Sequence, residues 1–95
     1  MSAFFIATVV IKDPEKMQEY AQKSMATIID FGGEPVIRGK VIGILSGDSK
    51  HQMTAVVKFP DVEAIDNWYQ SADYQALIPL RDEAADVTIV KCAAA

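Results

Sequence analysis

The sequence predicts an α+β domain of order β-α-β-β-α-β, with four antiparallel strands and both helices on one face of the sheet. Three observations predict it. Residues 4–11 form an apolar run rich in β-branched side chains, which is strand patterning. An aspartate-capped segment with helical periodicity follows, closed by Gly32-Gly33. The second half then echoes the first. A shift of 48 positions places Ala7 on Ala55, Val9 on Val57, Asp13 on Asp61, Glu15 on Glu63, Met17 on Ile65 and Tyr20 on Trp68. Each half thus reads as strand, capped helix and returning strand, which is the ferredoxin-like split βαβ plan.

The elements follow in order. Asp13 can cap the open N–H groups of the first helix, and Pro14 suits its first position. Met17, Tyr20, Ala21, Ser24, Ile28 and Phe31 recur at steps of three and four and make its inner face. Glycine takes the left-handed cap without steric cost, so Gly32-Gly33 ends the helix. Residues 34–45 read as a long second strand, bulged or bent at Gly39 and Gly43. Residues 46–52 are a polar hairpin loop. Residues 53–59 form the third strand, and Pro60 stops it before Asp61 caps the second helix. Val62, Ile65, Trp68 and Tyr69 are that helix's inner face. The stretch 71–73 breaks or restarts it, residues 74–78 add a turn or two, and Pro79 forces a kink or a new start. Residues 87–92 are the fourth strand.

Composition narrows the function. A chain of 95 residues is one domain, and 51% hydrophobic residues argue against disorder. The net charge is −4 and no Lys/Arg run exists, so neither nucleic acid nor an anionic membrane surface is an expected partner. The apolar N-terminus lacks a basic flank and is too short to span a bilayer. Cys92 is the only cysteine, so no internal disulfide can form and a cytoplasmic location is expected. It reads as an ordinary apolar strand residue.

The alternation of the strands carries a further expectation. Phe5, Ala7, Val9 and Ile11 point one way, while Phe4, Ile6 and Val10 point the other. Val56, Val90 and Cys92 extend the second set. The helix-free face would then expose roughly 600 Å² of apolar surface, more than a soluble monomer usually carries. Burying it is worth on the order of 15 kcal/mol gross, against an association cost of roughly 4–15 kcal/mol. A homodimer joined through the helix-free sheet face is the expected solution. The long second strand could reach across to the partner.

The candidate ligand-binding residues are Tyr20, Arg38, Trp68, Tyr69, Tyr74 and Arg81. Arg38, on a strand among apolar neighbours, needs an anionic partner. That partner is either a ligand carboxylate or enolate, or an Asp or Glu of the protein. Arg81 could complete the same anion site or pair with Asp82, Glu83 or Asp86 at the surface. The four aromatics sit at helix spacing, which suits core packing as well as a pocket wall. Tyr20 and Trp68 are related by the internal echo and could frame a shared cavity. His51 is the only histidine and lies in the polar loop, where a histidine is usually just solvated; in an enzyme, it or a tyrosine would move the proton. One His, one Cys and no acidic pair at metal spacing fall short of a metal site. No cofactor is expected, haem included.

The chain resembles the domain-of-unknown-function family 1330, within the dimeric α+β-barrel superfamily. The resemblance rests on Asp13-Pro14, Glu19-Tyr20, Gly32-Gly33, Val36-Ile37-Arg38-Gly39, Phe59-Pro60-Asp61-Val62-Glu63-Ala64, Trp68-Tyr69-Gln70-Ser71, Tyr74-Gln75-Ala76-Leu77 and Leu80-Arg81. Gly39-Lys40 stands where the family often has a glycine pair. The resemblance implies a sheet-to-sheet homodimer and no particular function. Relatives at fold level include cofactor-free monooxygenases, muconolactone-type isomerases and haem-dependent enzymes, and fold does not fix chemistry. Three readings remain: a dimer that binds a small carboxylate or phenolic ligand between helices and sheet, a cofactor-independent enzyme on such a substrate, and a purely structural dimer.

Overall fold

The computed structural model describes residues 2–94. Its element order is β1 (Ala3–Ile11), α1 (Pro14–Asp30), β2 (Glu34–Lys40), β3 (Met53–Phe59), α2 (Val62–Gln70), α3 (Ala72–Gln75), α4 (Ile78–Ala84) and β4 (Ala85–Ala93). The four strands form one antiparallel sheet in the order β2-β3-β1-β4. The α+β, ferredoxin-like plan is the one the sequence predicts.

The caps work as their residue types require. The Asp13 carboxylate accepts from the backbone N–H of Glu15 and Lys16. Asp61 accepts from Ala64 N–H at 2.8 Å. Ser71 ends one helix and starts the next: its hydroxyl donates to the Trp68 carbonyl at 2.7 Å and accepts from Tyr74 N–H at 3.2 Å. Pro79 stands in the first turn of α4, where a missing N–H costs nothing. Gly32 has φ +83°. A side chain at Gly33 would collide with Ile28 Cγ2 and reach Phe59 Cζ at 3.0 Å. The turn therefore needs both glycines.

Register sorts the strand residues into two faces. Ala3, Phe5, Ala7 and Val9 lie opposite Phe59, Val57, Ala55 and Met53, and this set faces the helices. Its core is crowned by Trp68, which stacks on Phe5 at 4.9 Å and 18°. Phe59 packs 5.9 Å from Trp68, and Tyr74 4.4 Å. The opposite face carries the row Ile37–Val56–Ile6–Val90 and, beside it, the row Gly39–Thr54–Thr8–Thr88.

Two expectations fail at β2. The strand ends at Lys40, and residues 41–45 are not strand. The last backbone bond of the hairpin runs from Val41 N–H to the Gln52 carbonyl. Beyond it no strand in the same chain can pair with the segment, whatever its propensity. Ile42 is 96% exposed there, and Leu45 is fully exposed. The register shift lies between Pro35 and Ile37, not at Gly39 or Gly43. Proline has no N–H to give the ladder, while Gly39 pairs regularly with Thr54. The helical segment after β3 follows the expectation: it breaks at Ser71, Tyr74 lies in the separate single turn α3, and a new helix starts beside Pro79.

Candidate functional site

The six candidate residues do not converge on one point. Five of them line one or both of two cavities that share walls at Trp68, Val87 and Ile89, and Tyr74 lies between.

The first is a cleft of about 80 Å³ between α1 and the helix face of the sheet, lined by Tyr20, Ser24, Arg38 and Trp68 among others. Its origin is a cross-strand row. Arg38 lies opposite Ala55, Ala55 opposite Ala7, and Ala7 opposite Ile89. Two alanines in the middle of that row leave the space beneath α1 unfilled. Met17 and Met25 from α1 complete the wall. Among the described residues no hydrogen bond or ion pair reaches the Arg38 guanidinium. Among the described residues no carboxylate, imidazole, amine or thiol lines the cleft.

The second is an open groove of about 530 Å³ between α2 and β4, lined by Asp66, Tyr69, Arg81 and Lys91 along with apolar residues. Arg81 is held from behind. Its Nη1 donates to the Tyr69 hydroxyl at 3.2 Å and to the Tyr74 hydroxyl at 3.1 Å. Its Nε meets the Asp82 carboxylate only at 3.4 Å. Arg38 and Arg81 therefore do not share an anion site, as one reading of the sequence had it. Arg38 is on the helix face of β2, and Arg81 is on α4 at the far side of the aromatic layer.

Tyr74 lines neither cavity but joins them. The Tyr20 and Tyr74 hydroxyls lie 2.7 Å apart. A guanidinium can only donate, so the Tyr74 oxygen accepts from Arg81. Tyr74 is fully buried, and its remaining polar neighbour is Tyr20. Either hydroxyl of the pair can donate to the other, and Ser24 is a further hydrogen-bonding neighbour of Tyr20 at the cleft. Burial, and then the neighbouring Tyr74, push the Tyr20 phenol well above its ordinary pKa, so it stays protonated. Burial alone would lower the Arg81 pKa, but its bonds to Tyr69 and Tyr74 outweigh that and raise it.

One member of the network was absent from the sequence reading. Thr27 accepts from Trp68 Nε1–H at 3.0 Å and donates to the Ser24 carbonyl at 2.7 Å. Its position seven residues after Tyr20, on the same helical face, was the available signal. His51 lines neither cavity; its Nδ1 pairs with Ser49 Oγ at 2.7 Å in the loop. Among the described residues no three His, Cys, Asp or Glu side chains gather as metal ligands, and no helix is long and apolar enough to cross a membrane.

A family model, the domain of unknown function 1330, matches residues 2–93. The chain belongs to that family. No curated protein matches it. Among solved structures it is similar to a protein of unknown function from Rhodopseudomonas palustris, with TM-score 0.85 and 17% identity, covering 99% of this chain and 82% of that one. It is similar to SnoaB, a cofactor-independent oxygenase from Streptomyces nogalater, with TM-score 0.73, 9% identity and coverage of 99% and 93%. A dimeric ferredoxin-like protein of unknown function from Jannaschia matches with TM-score 0.69 and 9% identity, over 99% of this chain and 100% of that one. At these identities the likeness is one of fold.

Proposed function

We propose that this protein is a homodimeric binding module, located in the cytoplasm, that takes a small carboxylate or phenolic ligand in the cleft between α1 and the sheet. The observation that carries the reading is Arg38, a guanidinium without a partner among the described residues, at the rim of an apolar cleft. An arginine so placed is suited to a planar anion. The Tyr20 hydroxyl, kept protonated, and the Ser24 hydroxyl are further polar groups of the cleft. The volume of about 80 Å³ equals roughly three waters at their liquid share. A short carboxylate fits it directly, and a phenol ring fits once the flexible Met17 and Met25 yield.

Binding is preferred to acid–base catalysis because no proton acceptor that works near neutral pH lines the cleft. Tyr20 is kept protonated, and carboxylates and imidazoles are absent from the wall. The likeness to an oxygenase supports a shared fold and leaves this preference intact.

The assembly is proposed from the helix-free face. Its apolar row Ile37–Val56–Ile6–Val90, with Phe4 and Val10, faces away from the helices. A second copy is the occupant that this face and the exposed segment 41–45 both suit. The dimeric Jannaschia neighbour supports the reading.

Calorimetric titration with propionate, butyrate and phenol tests the ligand. Saturable binding that Arg38→Gln weakens about tenfold or more is expected, the loss of one charge-assisted anchor. Binding that ignores Arg38, or none with any of the three, would sink the proposal. Sedimentation at micromolar concentration tests the dimer, and a monomeric mass would defeat it.

A further inference from the structure

We infer that the groove between α2 and β4 is a second ligand site, for amphipathic organic anions whose carboxylate or phosphate group meets Arg81. The inference is independent of the Arg38 cleft, because neither Arg38 nor Tyr20 lines the groove. Its volume, about 530 Å³, falls within the usual range for small-molecule sites.

The case rests on how Arg81 is held. Its side chain is only 15% exposed. Two of its three nitrogens are engaged by the chain: Nη1 with two phenols and Nε with Asp82. Nη2 makes no hydrogen bond among the described residues. Every fully buried side-chain polar atom there has a partner, so Nη2 meets solvent, and the groove is the opening that Arg81 lines. The phenols fix the plane of the guanidinium but, being neutral, do not cancel its charge. The one carboxylate in reach is 3.4 Å away and 66% exposed. A charge so far withdrawn from water is short of a counter-charge.

The rest of the groove agrees. Its charged lining is Arg81 and Lys91 against Asp66 alone, an excess of positive charge in a chain of net charge −4. Asp66 takes Lys91 Nζ at 2.6 Å. Ile65, Val87 and Ile89 give an apolar wall for the ligand's body. The tyrosine hydroxyl of Tyr69, already receiving Arg81, keeps its own hydrogen for an anionic oxygen. The site thus takes a headgroup on a guanidinium edge and a short hydrocarbon or ring beside it.

Hexanoate and phenyl phosphate are the probes, titrated into the full isotope-labelled chain and followed by amide correlation spectra. Saturable shifts are expected for residues 65–70 and 87–91 and for the Arg81 Nε–H. Response to one probe alone identifies the headgroup, and either supports the site. Arg38→Gln should leave the affinity within about twofold, since that arginine is absent from the groove. Arg81→Gln should weaken binding about tenfold or more. Arg81 also braces two tyrosines, so two surface variants keep the test clean. Asp66→Asn should tighten binding roughly threefold by removing the competing carboxylate, and Lys91→Gln should weaken it roughly threefold. Shifts confined to Tyr20, Ser24 and Arg38, no saturation by either probe, or affinities that ignore both surface variants would overturn the inference.

Discussion

Arg38 and Arg81 are the chain's two arginines, and the fold treats them in opposite ways. Arg81 sits behind the aromatic layer, where two tyrosine hydroxyls and Asp82 occupy most of its donors. Arg38 stands on a strand with no partner among the described residues, next to a space that two alanines leave open. A charge that the chain itself engages is first an architectural group, and removing it disturbs its neighbours. A charge that the chain leaves unengaged costs the fold little when removed, and its contribution is to whatever binds there.

The largest expected effect lies on the Arg81 side. Tyr74→Phe takes away the hydroxyl that accepts from Arg81 and pairs with Tyr20. A buried phenol and part of a guanidinium then go unmatched, at a cost of about 1–3 kcal/mol. Urea unfolding measures it; a loss below about 0.5 kcal/mol would show that the buried chain of hydroxyls adds no stability.

Next comes a pH dependence. Unfolded tyrosine releases its proton near pH 10, while folded Tyr20 holds on to it at higher pH. Above about pH 10 the unfolded chain therefore binds fewer protons than the native one, and stability falls as pH rises. The limiting slope for one proton is about 1.4 kcal/mol per pH unit. Below pH 10 this contribution is fully present. Melting curves across this range should be flatter for Tyr20→Phe, and parallel curves would contradict the burial argument.

The smallest effect on stability is assigned to Arg38→Gln, within about 0.5 kcal/mol of the parent by urea unfolding. A larger loss would mean that Arg38 has an internal partner after all, and the contrast between the two arginines would collapse.

Much of this was legible beforehand, for local reasons. Asp13 and Asp61 announced their helices because an N-cap is a short-range bond between a side chain and the next turn. The alternation along residues 4–11 assigned both faces of the sheet because strand side chains have period two. Non-local facts were not legible. Val41, Ile42 and Ile44 read as strand, yet a strand exists only where another segment pairs with it. The split of Tyr20 from Arg81 into different cavities depends on how α1 and α4 pack, and no spacing along the chain encodes that. Thr27 looked like any polar helix residue until Trp68 was placed above it.

The extra residue in β2 has a consequence for function that its small size conceals. Pro35 lies opposite Val57, yet Ile37, two residues on, lies opposite Val56, one residue on. Were Val36 paired regularly with Val56 and not bulged, Ile37 would face Ala55 and Arg38 would face Thr54. The two would trade sides, because a slip of one residue inverts every side chain that follows. The cleft would then hold an isoleucine, and the guanidinium would lie on the face proposed for the second copy. The bulge thus acts as a parity bit: whether Val36 is left out of the ladder determines whether the same arginine faces the proposed ligand cleft or the face proposed for the second copy. Straightening the bulge, with every side chain intact, would rewrite which of the two surfaces carries the positive charge, whereas deleting Val36 would leave Ile37 opposite Val56 and Arg38 opposite Ala55.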